Sequence, residues 1–265
     1  MHWRRFLLLT LMVGFFALPG KTNSIVVSPP RLQFMAGNDG YFEGQIEVYG
    51  AKDKNVMVKT FFLDWNFDQN GTVQFFSQPG QVERSATAWL QIKPEEFLIP
   101  AGSKKIVNIS GWVPAGTPPG DYWSMFFVEF KPFSVLQTSG VRISGRVGGS
   151  VTVTVPGPTI RKGHIASFQI KEAANMGKQC LEAKLTFVNE GDSVVEPFGY
   201  INIIDYQNKN HGTIQIPDFK VLPRSTRELQ LTADIPLRPG AYVAIAVLDY
   251  GGETQTGYQK VFTVK

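Results

Sequence analysis

Pro119-Gly120-Asp121-Tyr122 and Pro239-Gly240-Ala241-Tyr242 decide how this 265-residue chain is read. Each Pro-Gly-x-Tyr follows an earlier proline at a similar distance. Pro100 opens the stretch to Val107 and lies 19 residues before Pro119; Pro223 opens the stretch to Gln230 and lies 16 residues before Pro239. Further upstream, Asp64-Trp65 followed by Asn70-Gly71 is echoed by Asp205-Tyr206 followed by Asn210-His211-Gly212. Matching landmarks in the same order predict two domains of one fold. That organisation directs attention to the surfaces of a tandem module and to the cleft between its halves.

Between these landmarks the apolar residues alternate. Phe42, Gly44, Ile46 and Val48 alternate with Glu43, Gln45 and Glu47, and the run Leu181 to Phe187 does the same. Ile106, Ile109 and Trp112 fall in a strand closed by Val113-Pro114, and Tyr242 to Leu248 has the pattern of a more fully buried strand. Turn residues recur at Gly37 to Gly40, Asn70-Gly71, Gln78-Pro79-Gly80, Asn189 to Gly191 and Gly251-Gly252. No long stretch has helical periodicity. The pattern predicts an all-β chain of two tandem immunoglobulin-like β-sandwich domains. In such sandwiches a tyrosine near the start of strand F turns its hydroxyl back to upstream backbone, and Tyr122 and Tyr242 are placed for that corner. The halves are unequal. The first has about 18 more residues between its Asn-Gly turn and Pro100, and this insertion, Val73 to Phe97, is expected to add a strand or a hairpin. Pro156-Gly157-Pro158 breaks a strand and stiffens a short linker, which puts the domains at 25–157 and 158–265.

Residues 1–24 read as a secretory signal peptide: a basic start at Arg4 and Arg5, an apolar run from Phe6 to Leu18, then Pro19-Gly20 and a polar stretch. An uncleaved anchor is the alternative, disfavoured because the apolar run is short for a membrane span. The expected location is the periplasm or the exterior, with no stable membrane insertion after cleavage. Export also removes most of the charge imbalance. Of 26 Lys+Arg, Arg4, Arg5 and Lys21 lie in the leader and no acid does, which leaves 23 bases against 22 acids. No nucleic-acid partner follows from so balanced a chain. Cys180 is the only cysteine, so no intramolecular disulfide can form, and the alternation around it predicts a buried thiol.

Catalytic signatures are missing, and no enzyme is expected. Beyond the leader only His164 and His211 remain, without metal-ligand spacing. Gly145 to Gly149 lacks the Lys-Ser/Thr of a phosphate loop. Asn66, Asp68 and Asn70 resemble the start of a calcium loop, but Ser77 stands where the loop needs Glu, and a hairpin turn is the stronger reading. No metal or cofactor is therefore predicted. Aromatics crowd the first half, among them Phe61, Trp65, Phe75, Trp89, Trp112 and Trp123. Most should fill the core, while an exposed row would suit a glycan. Val141 to Val155 stands apart, because its apolar and polar positions alternate without a break for 15 residues, against an ordinary strand of about five or six. Its glycines, Gly145, Gly148 and Gly149, suggest a bulge, bend or break. As the last strand of its domain it is a candidate edge for pairing with another polypeptide.

Ser28-Pro29-Pro30-Arg31-Leu32-Gln33-Phe34, the motifs Ser85-Ala86-x-x-Trp89, Phe97 to Pro100 and Pro119-Gly-x-Tyr122, and the long alternating strand together resemble the PapD-like periplasmic pilus chaperones and their broader relatives. The resemblance covers the chain beyond the leader in outline, most clearly 25–157. It implies a boomerang of two domains whose last strand of domain one completes a fibre subunit that lacks a strand. It also implies a basic pair in the cleft that holds the client's terminal carboxylate. Arg31 matches the first of that pair. The second position falls near Gly149, and Arg146, three residues earlier, is the nearest base. An ordinary surface ion pair is the alternative role for Arg31. The expected partner is a protein client, a pilin-like or other surface-fibre subunit, with an outer-membrane usher as a second partner. The client-binding residues on this reading are Arg31, Arg146, Val147, Val151 and Val153, with the valines entering the client's groove. The competing readings are a structural cell-envelope protein, whose long strand is paired within its own sheet, and a cell-wall or glycan-binding module of the same fold.

Overall fold

A computed structural model of the chain describes residues 25–133, 144–175 and 178–265. The signal-peptide expectation, and Val141 to Ile143 of the alternating run, lie outside the described residues. No helix among the described residues is long and apolar enough to cross a membrane.

The first unit is built from β1 (Val26–Ser28), β2 (Arg31–Met35), β3 (Tyr41–Tyr49), β4 (Val56–Phe67), β5 (Val73–Phe76), β6 (Leu90–Lys93), β7 (Glu96–Ile99), β8 (Lys104–Trp112), β9 (Gly120–Pro132) and β10 (Gly145–Val155). One sheet runs β1-β3-β8-β6. The other has six strands, β2-β10-β9-β4-β5, with β7 beside the start of β4. The chain changes sheets at Pro29-Pro30, because neither proline has an N–H for a ladder. So β1 ends against β3 and β2 begins against β10. The two sheets close on Phe42, Ile46, Val107, Phe126, Val151 and Val153.

The second unit contains β11 (Gly163–Asn175), β12 (Lys178–Asn189), β13 (Phe198–Ile204), β14 (Asn210–Ile216), β15 (Ser225–Ala233), β16 (Gly240–Asp249) and β17 (Thr256–Val264). Its sheets run β11-β12-β15 and β14-β13-β16-β17 around Leu185, Phe187, Ile201, Ile203 and Leu248. The chain is thus all-β, with two immunoglobulin-like sandwiches in series. Cys180 is buried and unpaired.

Both tyrosine corners form. The Tyr122 hydroxyl donates to the Pro118 carbonyl and the Tyr242 hydroxyl to the Arg238 carbonyl, each at 3.0 Å and four residues back. The repeated sequence is therefore one structural device used twice, a buried ring that ties the start of the next-to-last strand of each unit, β9 and β16, to the turn before it.

Two strands depart from their sequence reading. In β8 the buried residues are Val107, Ile109 and Gly111, whereas Ile106 and Trp112 face outward. The strict period of two decides this, and Ile106 to Ile109 is out of phase with it. In β16 the core takes Tyr242, Ala244, Ala246 and Leu248, while Val243, Ile245 and Val247 are only half-buried on the opposite face. An unbroken apolar run cannot say whether its second face is covered.

The insertion does more than add a strand. It supplies β5, β6 and β7, and its 77–86 stretch lies over the outer face of the six-stranded sheet. Asp64 holds it there. This carboxylate, 1% exposed, accepts the Gln81 N–H at 2.9 Å, the Val82 N–H at 3.4 Å and the Ser85 hydroxyl at 2.5 Å. Val82 then packs with Trp65, Trp123 and Leu222. Leu222 belongs to the second unit, so this third apolar cluster joins the two sandwiches. The β4–β5 turn also reaches across: the Glu228 N–H donates to the Gln69 carbonyl at 2.8 Å, and the Arg227 guanidinium lies 4.5 Å over the Phe67 ring.

Candidate functional site

β10 pairs with β9 along its whole length, from Gly145 opposite Phe130 to Val155 opposite Gly120, without a register shift. The three glycines therefore mark no bulge or break. They make room for rings: an added Cβ would lie 2.4 Å from the Phe130 ring at Gly145, 2.9 Å from Phe127 at Gly148 and 2.2 Å from Phe126 at Gly149.

The other side of β10 is only half occupied. β2 pairs with it in parallel from Ser150 to Thr154 and stops there. The Ser150 N–H donates to the Pro30 carbonyl at 3.0 Å, and the Thr154 carbonyl accepts the Ala36 N–H at 3.0 Å. Even-numbered residues of β10 thus turn their backbone groups toward β2, because these alternate sides along a strand. By the same alternation Arg146 and Gly148 point their N–H and C=O to that side, where no described strand meets them. The open edge is this short segment.

The structure corrects the expected roles of the valines. Val151 and Val153 are fully buried in the core of their own unit, so they are not available to a client's groove. The side chains that alternate inward on the last strand of a sandwich fill that sandwich first. Val147 is partly buried against the same core. Arg146 is half-exposed; its guanidinium donates to Glu129 at 2.9 Å and lies 5.1 Å over Phe61 and 5.3 Å over Phe127. Arg31 is exposed at the first residue of β2, opposite Ser150. Four residues of β10 separate that register position from Arg146, about 13 Å of strand, so the two arginines do not form a pair. Arg31 instead stands where the open edge meets the start of β2.

A cleft of about 600 Å³ lies between the units. Gln33, Met35, Thr152 and Thr154 line it from the first unit, and Phe198 and Tyr250 from the second. Its bases are Arg161 and Lys220, both from the second unit, and neither Arg31 nor Arg146 lines it. Phe198 also begins an apolar outer face of the second unit that continues through Tyr200, Ile245 and Val261.

The units are fixed to each other behind this cleft. Asp192 accepts from Arg84 and Arg224, both at 2.8 Å, and its carbonyl accepts the Asp121 N–H at 2.8 Å. Asp121 in turn accepts the Val194 N–H at 2.8 Å and the Thr154 hydroxyl at 2.6 Å. Gly120 permits the approach: its φ is 123°, and a Cβ there would lie 2.4 Å from the Asp192 carbonyl oxygen. Of these junction residues only Gly120 and Asp121 lie in a repeated motif. The signal lay in a difference between the copies, Asp121 in Pro119-Gly-Asp-Tyr122 against Ala241 in Pro239-Gly-Ala-Tyr242.

The hydrogen bond from Arg224 holds the Asp192 carboxyl below its ordinary value of 3.8, against the opposing effect of burial. A depressed acid stabilises the joint above that value and loses its contribution as pH falls through the lower folded one. We expect the units to stay locked above about pH 5 and to loosen below about pH 4. Small-angle scattering, with the emission of Trp65 and Trp123 in the joint, should report the change. An unchanged scattering profile down to the onset of global acid unfolding would contradict it.

The calcium-like segment is a turn. The Asp68 carboxylate accepts the Thr72 N–H at 2.8 Å, and Asn66 accepts the Phe67 N–H at 2.8 Å. Among the described residues no three His, Cys, Asp or Glu side chains are grouped to hold a metal ion.

No family model matches the chain, and no curated protein matches it. Solved structures do. The class 5 fimbriae chaperone CfaA aligns at 12% identity and TM-score 0.48, over 90% of this chain and 98% of its own. The Escherichia coli chaperone DraB aligns at 14% and 0.45, over 91% and 96%. A chain of the Acinetobacter baumannii CsuC–CsuE chaperone–tip subunit complex aligns at 13% and 0.46, over 89% and 97%.

Proposed function

We propose that this protein is an exported, non-enzymatic chaperone that holds an extracellular fibre subunit by adding one of the subunit's strands, or its strand-deficient edge, to β10. The observation that carries the reading is the open edge at Arg146 and Gly148, above the point where β2 begins. A client strand there extends the six-stranded sheet in line with β2, and its main chain takes up the unpaired groups of the edge. The client class follows the resemblance of the sequence to PapD-like pilus chaperones. Arg31, exposed at the end of that added strand, is the base best placed to meet a chain-terminal carboxylate. The role of Val147, half-buried beside the edge, is to give the client strand an apolar neighbour.

Arg146→Pro tests this reading. It removes one outward N–H from the edge and none from the ladder with β9, and proline is tolerated at such positions. A photoreactive residue at Ser144 in living cells should give a discrete adduct with an exported subunit. Arg146→Pro should abolish most of that adduct while Arg146→Ala retains it. An adduct that survives Arg146→Pro undiminished would exclude main-chain pairing at this edge. An usher would be sought as a second, larger adduct from the same cells.

A further inference from the structure

The open face of the sheet β1-β3-β8-β6 is organised in an unusual way. β3 presents Tyr41, Glu43, Gln45, Glu47 and Tyr49 to solvent, a row that reads the same in both directions about Gln45. At one end the Tyr41 and Trp112 rings meet at 4.7 Å, and Trp112 is 53% exposed. At the other end Tyr49, 39% exposed, lies under the Lys104 ammonium at 5.6 Å. Each tyrosine is tied by the carboxylate two residues away: the Tyr41 hydroxyl donates to Glu43 at 2.7 Å, and the Tyr49 hydroxyl donates to Glu47. Lys104 closes the second pair on Glu47 at 2.6 Å. The aromatic ends are therefore preorganised. Between them, Gln45 faces Asn108, and Gln91 faces Ser110 across the neighbouring ladder. The amides of Gln45, Gln91 and Asn108 make no side-chain hydrogen bond among the described residues.

We propose that this face binds an extended, uncharged polysaccharide laid along β3, with the Trp112–Tyr41 pair as its main stacking platform. A protein-binding patch has an apolar centre and a polar rim. Here the unpaired amides lie in the middle and the aromatic rings at the ends, with Ile106, 46% exposed opposite Glu47, between them. Amides match sugar hydroxyls as donors and acceptors, and exposed ring faces suit the apolar C–H face of a sugar. Glu43 and Glu47 are balanced by Lys93 and Lys104, so the face has no excess sign to attract an acidic polymer. From Tyr41 to Tyr49 it spans about 27 Å, room for several sugar rings in a row. The site is on the sheet opposite β10, so it works independently of client capture.

The test is calorimetry on the full chain with chitohexaose, cellohexaose and maltohexaose, and with a heparin hexasaccharide as the anionic comparison. Saturable binding of at least one neutral hexasaccharide is expected, weakened about tenfold or more by Trp112→Ala. Gln45→Ala with Asn108→Ala should weaken it by roughly threefold to tenfold, the loss of one or two net hydrogen bonds. Arg146→Pro should bind as the parent does. No saturable binding of any neutral probe, binding that survives both surface variants, or equal binding of heparin would each overturn the proposal.

Discussion

Val151→Arg is expected to unfold the first unit. Val151 is fully buried between Leu32, which it faces across β2, and the core of both sheets. A guanidinium there would be placed among the apolar side chains of that core. Desolvating an unpaired charge costs several kcal/mol, and the added volume costs a further ~1–3 kcal/mol. The sum is comparable with the whole stability of a domain, about 5–15 kcal/mol. Thr152→Arg, one residue on, places the same group on the cleft-lining face and should cost about 1 kcal/mol or less. The measurement is simple because Trp65, Trp89, Trp112 and Trp123, every tryptophan beyond the leader, fall in the first unit. Their emission should be that of unfolded chain in Val151→Arg and native in Thr152→Arg. Native emission in both variants would mean that β10 does not contribute Val151 to this core. The result also limits how strand addition is probed. Loss of client capture in Val151→Arg would report unfolding, whereas Arg146→Pro reports the edge.

The second large effect is expected at Asp64. Asp64→Ala leaves the Gln81 and Val82 N–H groups and the Ser85 hydroxyl without their acceptor in a sealed site. Each lost bond to a charged acceptor is worth about 1.5–3 kcal/mol. The 77–86 stretch can relax and admit water, so the total should be about 3–4 kcal/mol instead of the full sum. For a chain of this size that is a fall of about 10 °C in melting temperature. The stretch also covers Trp65 and Trp123 where Leu222 of the second unit meets them. Its release should therefore split one melting transition into two, as the sandwiches lose their common cluster. A single transition within ~2 °C of the parent would show that Asp64 does not hold the insertion.

The fold was legible because its causes are local. Period-two alternation in β3 and β12, turn glycines, and a doubled Pro-Gly-x-Tyr all act within a few residues. The tyrosine corners form four residues back from their hydroxyls, as the motif requires. The candidate site was legible only in part. Alternation in β10 showed that the strand was long and two-faced, but not which face was covered. Val151 and Val153 were expected to serve a client, and they serve their own core. The glycines of β10 suggested a bend, and they accommodate Phe126, Phe127 and Phe130, which lie on another strand. In each case the deciding neighbour is distant along the chain.

By itself the sequence determined two like sandwiches, the corner that opens the next-to-last strand of each, and an inserted segment in the first. These follow from backbone preference and side-chain period, which every residue carries with it. Only the tertiary structure decided that β2 begins at Arg31 and leaves Arg146 and Gly148 with no described strand beside them. It alone placed the insertion over Trp65 and Trp123 and joined the units through Asp121, Asp192 and Leu222. It also turned Tyr41, Tyr49 and Trp112 outward on one sheet. Which edge is free and which face is covered depend on the length of the neighbouring strand and on what packs above it. A strand's own residues do not encode either.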